Sequence, residues 1–288
     1  MRKKITIILL IIFIIIMLLV FLKNKNPEKL RGKNIITVSI LPERYFVKRI
    51  VGEDYKINVM LPPGASPTSY DPTPRQLKEL NKSKIYFRIG YIPFEKNYMK
   101  KIANLNSEMK IIDISEGTDL IKKGKSIDPH IWLSPNMVKL EAENIMKAMI
   151  KLNPKETKKY QENYLDFKKD LDILDKKIKE KLENKQNNKF LVYHPSWSYF
   201  ARDYKLNQIP IEVDGKNPTP KNVKKIIDLA KKENIKIIVV QKQMSIQSAK
   251  TIAREINGEV IQLDPLSENW YENMEKILTV FEEKIIKK

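Results

Sequence analysis

Cysteine is absent from the 288 residues, and glycine occurs only 8 times. Without a thiol the chain can form no disulfide framework, Cys-type zinc ribbon, iron–sulfur cluster, thiol nucleophile or lipid-modified cysteine anchor. So few glycines leave little room for phosphate-cradling loops, and neither G-x-x-x-x-G-K-[ST] nor G-x-G-x-x-G occurs. Arginine supplies only 8 of the 54 basic residues, which argues against the bidentate contacts of nucleic-acid readers. No H-E-x-x-H or G-x-S-x-G motif is present and no carboxylate stands out as a general base, so the chain does not read as an enzyme.

What is abundant is lysine. The net charge is +19, of which +7 lies in residues 1–34 and +12 in the remainder. The basic start is followed by Ile5–Leu22, an apolar run broken only by Thr6. As a helix it reaches roughly 27 Å, just short of a ~30 Å hydrocarbon core. Leu22 leads into Lys-Asn-Lys-Asn-Pro with no small-residue cleavage site. The expectation is an uncleaved membrane anchor holding the body outside the cytoplasmic membrane; a cleaved signal, with a secreted or periplasmic body, is the alternative. The flanking lysines suit a position beside anionic lipid.

From Ile35 onward, short β-branched runs alternate with helical patterns, the signature of βα units and a mainly parallel sheet. Four strands are predicted in each half: Ile35–Ile40, Lys56–Leu61, Lys84–Gly90 and Lys110–Ser115, then Phe190–Tyr193, Gln208–Val213, Ile235–Val240 and Glu259–Asp264. The predicted helices are 43–51, 74–82, 94–104 and 135–150, then 197–204, 220–233, 245–257 and 268–286. Thr73-Pro74 and Thr219-Pro220 each offer an N-cap followed by a proline at the first helical position. Ser245 is read as the cap of its helix and Gly258 as its stop. Asp71-Pro-Thr-Pro-Arg-Gln-Leu-Lys recurs as Asn217-Pro-Thr-Pro-Lys-Asn-Val-Lys, after the second strand of each half, which suggests a duplicated lobe.

Between the halves, Tyr160, Tyr164, Phe167, Leu171, Leu174, Ile178 and Leu182 recur at helical spacing through Pro154–Asn187. The fold class expected is therefore α/β, with two similar lobes on mainly parallel four-stranded sheets joined by one long rigid helix. The divisions are 1–34 (anchor and linker), 35–152 (first lobe), 153–187 (linking helix) and 188–288 (second lobe). The charged residues around the apolar stripe read as a solvated helix surface.

Chemistry gathers at strand ends. His130 lies in Asp128-Pro-His-Ile-Trp-Leu and His194 in Val192-Tyr-His-Pro-Ser-Trp, the only two histidines of the chain. Asp264 also ends an apolar strand. In open α/β sheets ligands collect beyond the carboxyl ends of strands. Two imidazoles and a carboxylate converging from two lobes would suit zinc, or manganese and ferrous iron less selectively. The competing explanation is that each histidine is a packed, hydrogen-bonded side chain beside a tryptophan.

Five motifs carry a family resemblance, in order from about residue 35 to the end: Gly64-Ala-Ser-Pro-Thr-Ser-Tyr-Asp-Pro-Thr-Pro, Asp128-Pro-His-Ile-Trp-Leu-Ser-Pro, Tyr193-His-Pro-Ser-Trp-Ser-Tyr-Phe-Ala-Arg-Asp-Tyr, Ile211-Glu-Val-Asp-Gly-Lys-Asn-Pro-Thr-Pro and Leu263-Asp-Pro-Leu. They resemble the cluster A-I (zinc/manganese, TroA-like) solute-binding proteins of bacterial and archaeal ABC importers. The resemblance implies two lobes joined by a rigid helix, Zn²⁺ (or Mn²⁺ or Fe²⁺) clamped in the cleft, and delivery to a membrane permease by a monomer. By position, His130 stands where the second metal-binding histidine of the family lies, His194 where the third does, and Asp264 where the final carboxylate does. The first histidine position is occupied by Thr68. Three protein ligands plus water would remain, an open arrangement. Glu212 is a candidate additional ligand, since manganese-type relatives use a glutamate in this region. Two other functions stay open at this level: a binding protein on the same scaffold that takes an anion at its helix N-termini, and a metallohydrolase using the open coordination position.

Overall fold

The computed structural model describes residues 34–183, 187–213 and 215–286. The apolar run Ile5–Leu22 lies outside them. Among the described residues no helix is long and apolar enough to cross a membrane.

The first lobe runs β1 (Ile35–Val38), α1 (Leu41–Val51), β2 (Lys56–Val59), α2 (Pro74–Leu80), β3 (Ser83–Arg88), α3 (Pro93–Leu105) and β4 (Lys110–Asp113). A short antiparallel hairpin follows, β5 (Lys122–Lys123) and β6 (Ser126–Ile127), then a 3₁₀ turn Ile131–Leu133 and α4 (Pro135–Leu152). Helix α5 (Thr157–Leu182) leads to the second lobe: β7 (Lys189–Val192), α6 (Ser198–Asp203), β8 (Asn207–Pro210), α7 (Pro220–Lys232), β9 (Ile237–Gln241), α8 (Gln247–Glu255) and β10 (Glu259–Leu263). Helix α9 (Trp270–Val280) and a π-helical turn Phe281–Ile286 close the chain. The sheets have orders β2-β1-β3-β4 and β8-β7-β9-β10, all neighbours parallel. Each lobe thus follows the same order of its own strands, second-first-third-fourth, as the octapeptide echo suggested.

The local chemistry explains the boundaries. Ile35-Ile-Thr-Val of β1 is buried on both faces and β9 is nearly so, as befits parallel strands covered by helices. Thr73 Oγ1 accepts from Gln76 N–H (3.3 Å) while Gln76 Oε1 accepts from Thr73 N–H (2.9 Å), a reciprocal cap. Thr219 Oγ1 accepts from Asn222 N–H (3.3 Å), and each threonine is followed by a proline at the first helical position. The end of α8 differs from expectation. Asn257, with φ 49°, supplies the left-handed residue, whereas Gly258 is required because a Cβ there would lie 2.3 Å from Lys236 O. The helix also starts later than read, at Gln247, and Ser245 Oγ meets Gln247 N–H only at 3.4 Å.

In α5 the predicted stripe is the buried face: Tyr160, Phe167, Leu171, Leu174 and Ile178 are all fully covered, with Tyr164 half-buried. The charged faces are less free than the pattern suggested. Arg49 donates to Asp170 (2.8 Å), Lys177 to Glu275 (2.7 Å), and buried Asp175 accepts from Tyr204 (3.0 Å) and Asn136 (3.1 Å). One hydrophobic core runs from β1 and β3 through α4 and α5 into Phe190, Phe200 and Trp270, so the lobes share it. A second core fills the outer side of the second sheet, around Ile211, Ile238 and Ile252.

Candidate metal site

His194 lies beyond the carboxyl end of a strand of the second sheet, and His130 beyond a separate two-stranded hairpin. His194 follows β7, its strand held by Tyr193 N–H to Val239 O (2.9 Å) and its turn by Ser196 N–H to His194 O (2.8 Å). His130 follows the β5–β6 hairpin, in a turn closed by Asp128: the carboxylate Oδ1 accepts from His130 N–H (3.0 Å) and from Nδ1 (2.7 Å). On the opposite wall Glu212 Oε1 meets His194 Nδ1 at 2.6 Å. The two rings face each other with centroids 5.3 Å apart, inclined at 69°. Trp132 lies 5.1 Å from His130. Each Nδ1 is occupied by a carboxylate, so each Nε2 is the nitrogen left for an external ligand, the arrangement typical of metal-binding histidines.

His130, Trp132, His194 and Glu212 line one cavity of about 320 Å³ between the lobes, shared with Thr68, Lys96 and Gln241. Thr68 sits at its exposed rim, with its hydroxyl bonded to Ser66 Oγ (2.8 Å). Glu212 is buried and backs His194, so the geometry brings it to the site as a partner of an imidazole. Asp264 lines the neighbouring cavity, with Gly64 and Glu268; its Oδ1 accepts from Gln243 Nε2 (2.7 Å) and Leu266 N–H (3.0 Å). Among the described residues no three His, Asp or Glu side chains stand close enough together to hold a metal as they are. Two imidazoles, a rim hydroxyl and carboxylates one shell out still form a donor set of borderline character, suited to a divalent cation that keeps water.

The electrostatics favour neutral imidazole beside anionic carboxylate. Burial, helped by His194 and the Lys123 ammonium, pushes the His130 pKa down against the raising effect of Asp128. Asp128 is itself buried, which raises its pKa, but the hydrogen bond and charge of His130 and the ammonium of Lys123 hold it well below the usual carboxylate range. Two further carboxylates brace the strand-end loops. Glu43 accepts from Ser39 N–H (2.7 Å) and Ile40 N–H (2.9 Å), and Glu95 from Ile89 N–H (3.0 Å) and Gly90 N–H (2.6 Å). Burial raises Glu95 to about 7 against the lowering effect of those bonds. Sequence reasoning missed these residues, although both stand third in a helix that directly follows a strand-end loop, where a carboxylate caps the incoming backbone. It also missed the role of Asp128, for which an acid two residues before a histidine was the available signal.

A pair of lobes of common topology, joined by one long helix and meeting at two carboxylate-backed imidazoles, defines the class of metal-capturing, extracytoplasmic solute-binding proteins. The pattern of the periplasmic component A of zinc-uptake complexes, ZnuA, matches residues 36–284, and the chain belongs to that family. A solved structure described as ZnuA superposes with a TM-score of 0.84 at 38% identity, covering 87% of this chain and 98% of that one. The high-affinity zinc uptake system protein ZnuA of Bacillus subtilis is 25% identical over 248 residues, 80% of this chain and 78% of the relative. The metal ABC transporter substrate-binding lipoprotein SsaB of Streptococcus sanguinis is 26% identical over 254 residues, 82% and 80%. The chain is thus the solute-binding component of an ABC metal importer, working outside the cytoplasm with a permease, and not an enzyme.

Proposed function

We propose that His130 and His194 capture a divalent cation through their Nε2 atoms, with Zn²⁺ the preferred cargo and Mn²⁺ or Fe²⁺ held less selectively. One observation carries this reading: imidazoles from opposite lobes, 5.3 Å apart, each have Nδ1 held by a buried carboxylate. Holding Nδ1 fixes the tautomer and raises the donor strength of Nε2. Asp264 is the third protein ligand in this reading, recruited when it leaves Gln243 and Leu266, and water takes the position that Thr68 vacates. Glu212 supports His194, and coordinates only if that bond breaks. The protein acts as a monomer, with a first lobe at 35–152, a linking helix at 153–187 and a second lobe at 188–288, and Ile5–Leu22 tethers it beside its permease. Titration calorimetry on chelator-stripped protein tests the capture step. The expected result is Zn²⁺ binding that His130→Ala and His194→Ala abolish; no divalent cation bound below about 100 μM, weaker than roughly −5.5 kcal/mol, overturns it.

A further inference from the structure

The seam between the lobes contains a hydroxyl that cation capture does not use directly. Tyr199, on α6 and five residues beyond His194, is fully covered. Its hydroxyl donates to the carbonyl of Asp128 (2.7 Å) and accepts from the N–H of Ile121 (3.0 Å). Those backbone groups belong to the other lobe, at the base of the β5–β6 hairpin, where Asp128 N–H also donates to Ile121 O (2.9 Å). The Arg202 guanidinium lies 5.1 Å from the Tyr199 ring and donates to Asp119 O (2.8 Å), so the same helix grips the hairpin base twice. Asp128 in turn holds His130 at both its backbone N–H and its Nδ1.

The chain of contacts is short and rigid. The His194 loop runs directly into the helix that carries Tyr199, and one buried hydroxyl bonds the residue that orients His130. A site whose supporting groups are fixed by packing and hydrogen bonds keeps its ligands at productive separation, and a displacement of about 1 Å is enough to lose function. We propose that Tyr199 is a positioning residue for cation capture: its hydroxyl, bridging Ile121 and Asp128 across the lobe seam, sets the spacing of His130 and His194. This role rests on the capture reading above.

Tyr199→Phe in the full chain keeps the ring and removes the bridge. Tyr204→Phe is the control, because that buried hydroxyl donates to Asp175 of α5 instead (3.0 Å). Three readouts are taken: Zn²⁺ affinity by chelator competition, the d–d absorption of bound Co²⁺, and amide hydrogen exchange of residues 121–133 without cation. Tyr199→Phe is expected to bind Zn²⁺ about 10–100-fold more weakly, as outer-shell losses do, with a shifted Co²⁺ band and faster exchange in 121–133. Tyr204→Phe lowers the denaturation midpoint but keeps the wild-type affinity and spectrum. Wild-type affinity and spectrum in Tyr199→Phe, or equal changes in both variants, overturns the role of Tyr199 alone. A wild-type chain that takes up neither Zn²⁺ nor Co²⁺ overturns the capture reading, and this role with it.

Discussion

Thr68→His should convert a two-imidazole site into a three-imidazole one. Thr68 lines the cavity that holds both histidines, yet it is exposed and its hydroxyl bonds only to Ser66 (2.8 Å). Removing that hydroxyl costs about 0.5–1.5 kcal/mol at most, since the Ser66 hydroxyl it leaves is open to water. Immobilising an imidazole costs a further ~0.5–1.5 kcal/mol. Against this stands a direct metal–nitrogen bond. Losing an outer-shell partner alone changes metal affinity by about 10–100-fold, and a direct ligand is worth at least the upper end, about 2.7 kcal/mol, so after immobilisation the net tightening should be about tenfold, roughly 1.4 kcal/mol. Competition against a chromogenic chelator near neutral pH measures it, with Thr68→Ser as the control that keeps the hydroxyl. In a His194→Ala background the same substitution should recover part of the lost affinity. A folded Thr68→His protein with wild-type Zn²⁺ affinity would refute the reasoning, because the rim residue would then not face the cargo.

Asp128→Asn and Glu212→Gln should each weaken Zn²⁺ binding about 10–100-fold, by loosening the Nδ1 of His130 and His194 respectively. Calorimetric titration of each variant checks this, and wild-type affinity in both would refute it. Stability should also fall as pH rises through the window between 4.5 and about 7 that Glu95 sets. The sign follows from proton counts: in that window folded Glu95 keeps a proton that the unfolded chain has already lost, so the unfolded state gains with each step upward. The difference corresponds to roughly 3 kcal/mol for Glu95, and burial raises Glu43 and Glu141 in the same direction. Urea denaturation at several pH values should show Glu95→Gln flattening the slope; an unchanged slope would mean that Glu95 is ionised in the folded protein.

The lobes, both sheets and the strut were legible because each rests on a strong local signal. Parallel strands covered on both faces read as continuous β-branched runs, and the α5 stripe has a period that only a helix satisfies. Boundaries were less legible where tertiary contact decides them: Gly258 is a glycine because Lys236 O approaches, not because a helix ends on it. The β5–β6 hairpin escaped notice because Lys122-Lys-Gly-Lys125 carries no alternation of polar and apolar residues, and its fold depends on Tyr199 from the other lobe. In the site, the two histidines could be found from their rarity and their strand-end positions. The pairing of His130 with Asp128 had a signal two residues away, but that of His194 with Glu212 had none, since it joins two strand ends 18 residues apart. Asp264, expected beside the histidines, lines the neighbouring cavity instead, because its bonds to Gln243 and Leu266 are decided by the packing of the loop after β10.

The architecture also resolves how a chain with a net charge of +19 can serve cation capture. Lysines spread over the surface act on the cleft only within about 8–10 Å at physiological salt. Lys96 lines the cavity itself, and Lys123 pairs with Asp128 Oδ2 (2.7 Å), so the charge of Lys123 is offset locally. In the proposed site a cargo ion would meet a pair of imidazoles, each with a buried carboxylate at its Nδ1. The seam holds that arrangement in place: Trp132 Nε1 donates to Pro265 O (2.7 Å) and Trp270 Nε1 to Trp132 O (2.7 Å), reciprocal bonds across the continuous core. Pulling the lobes apart would leave both indole N–H groups without partners, at about 1–3 kcal/mol each, and expose apolar core besides. The cheap motions lie at the rim, where Thr68 is exposed and its hydroxyl meets only the Ser66 hydroxyl among the described residues. In the proposed capture reading, selection among cations therefore rests on the two imidazoles and the carboxylates behind them rather than on the net charge of the chain.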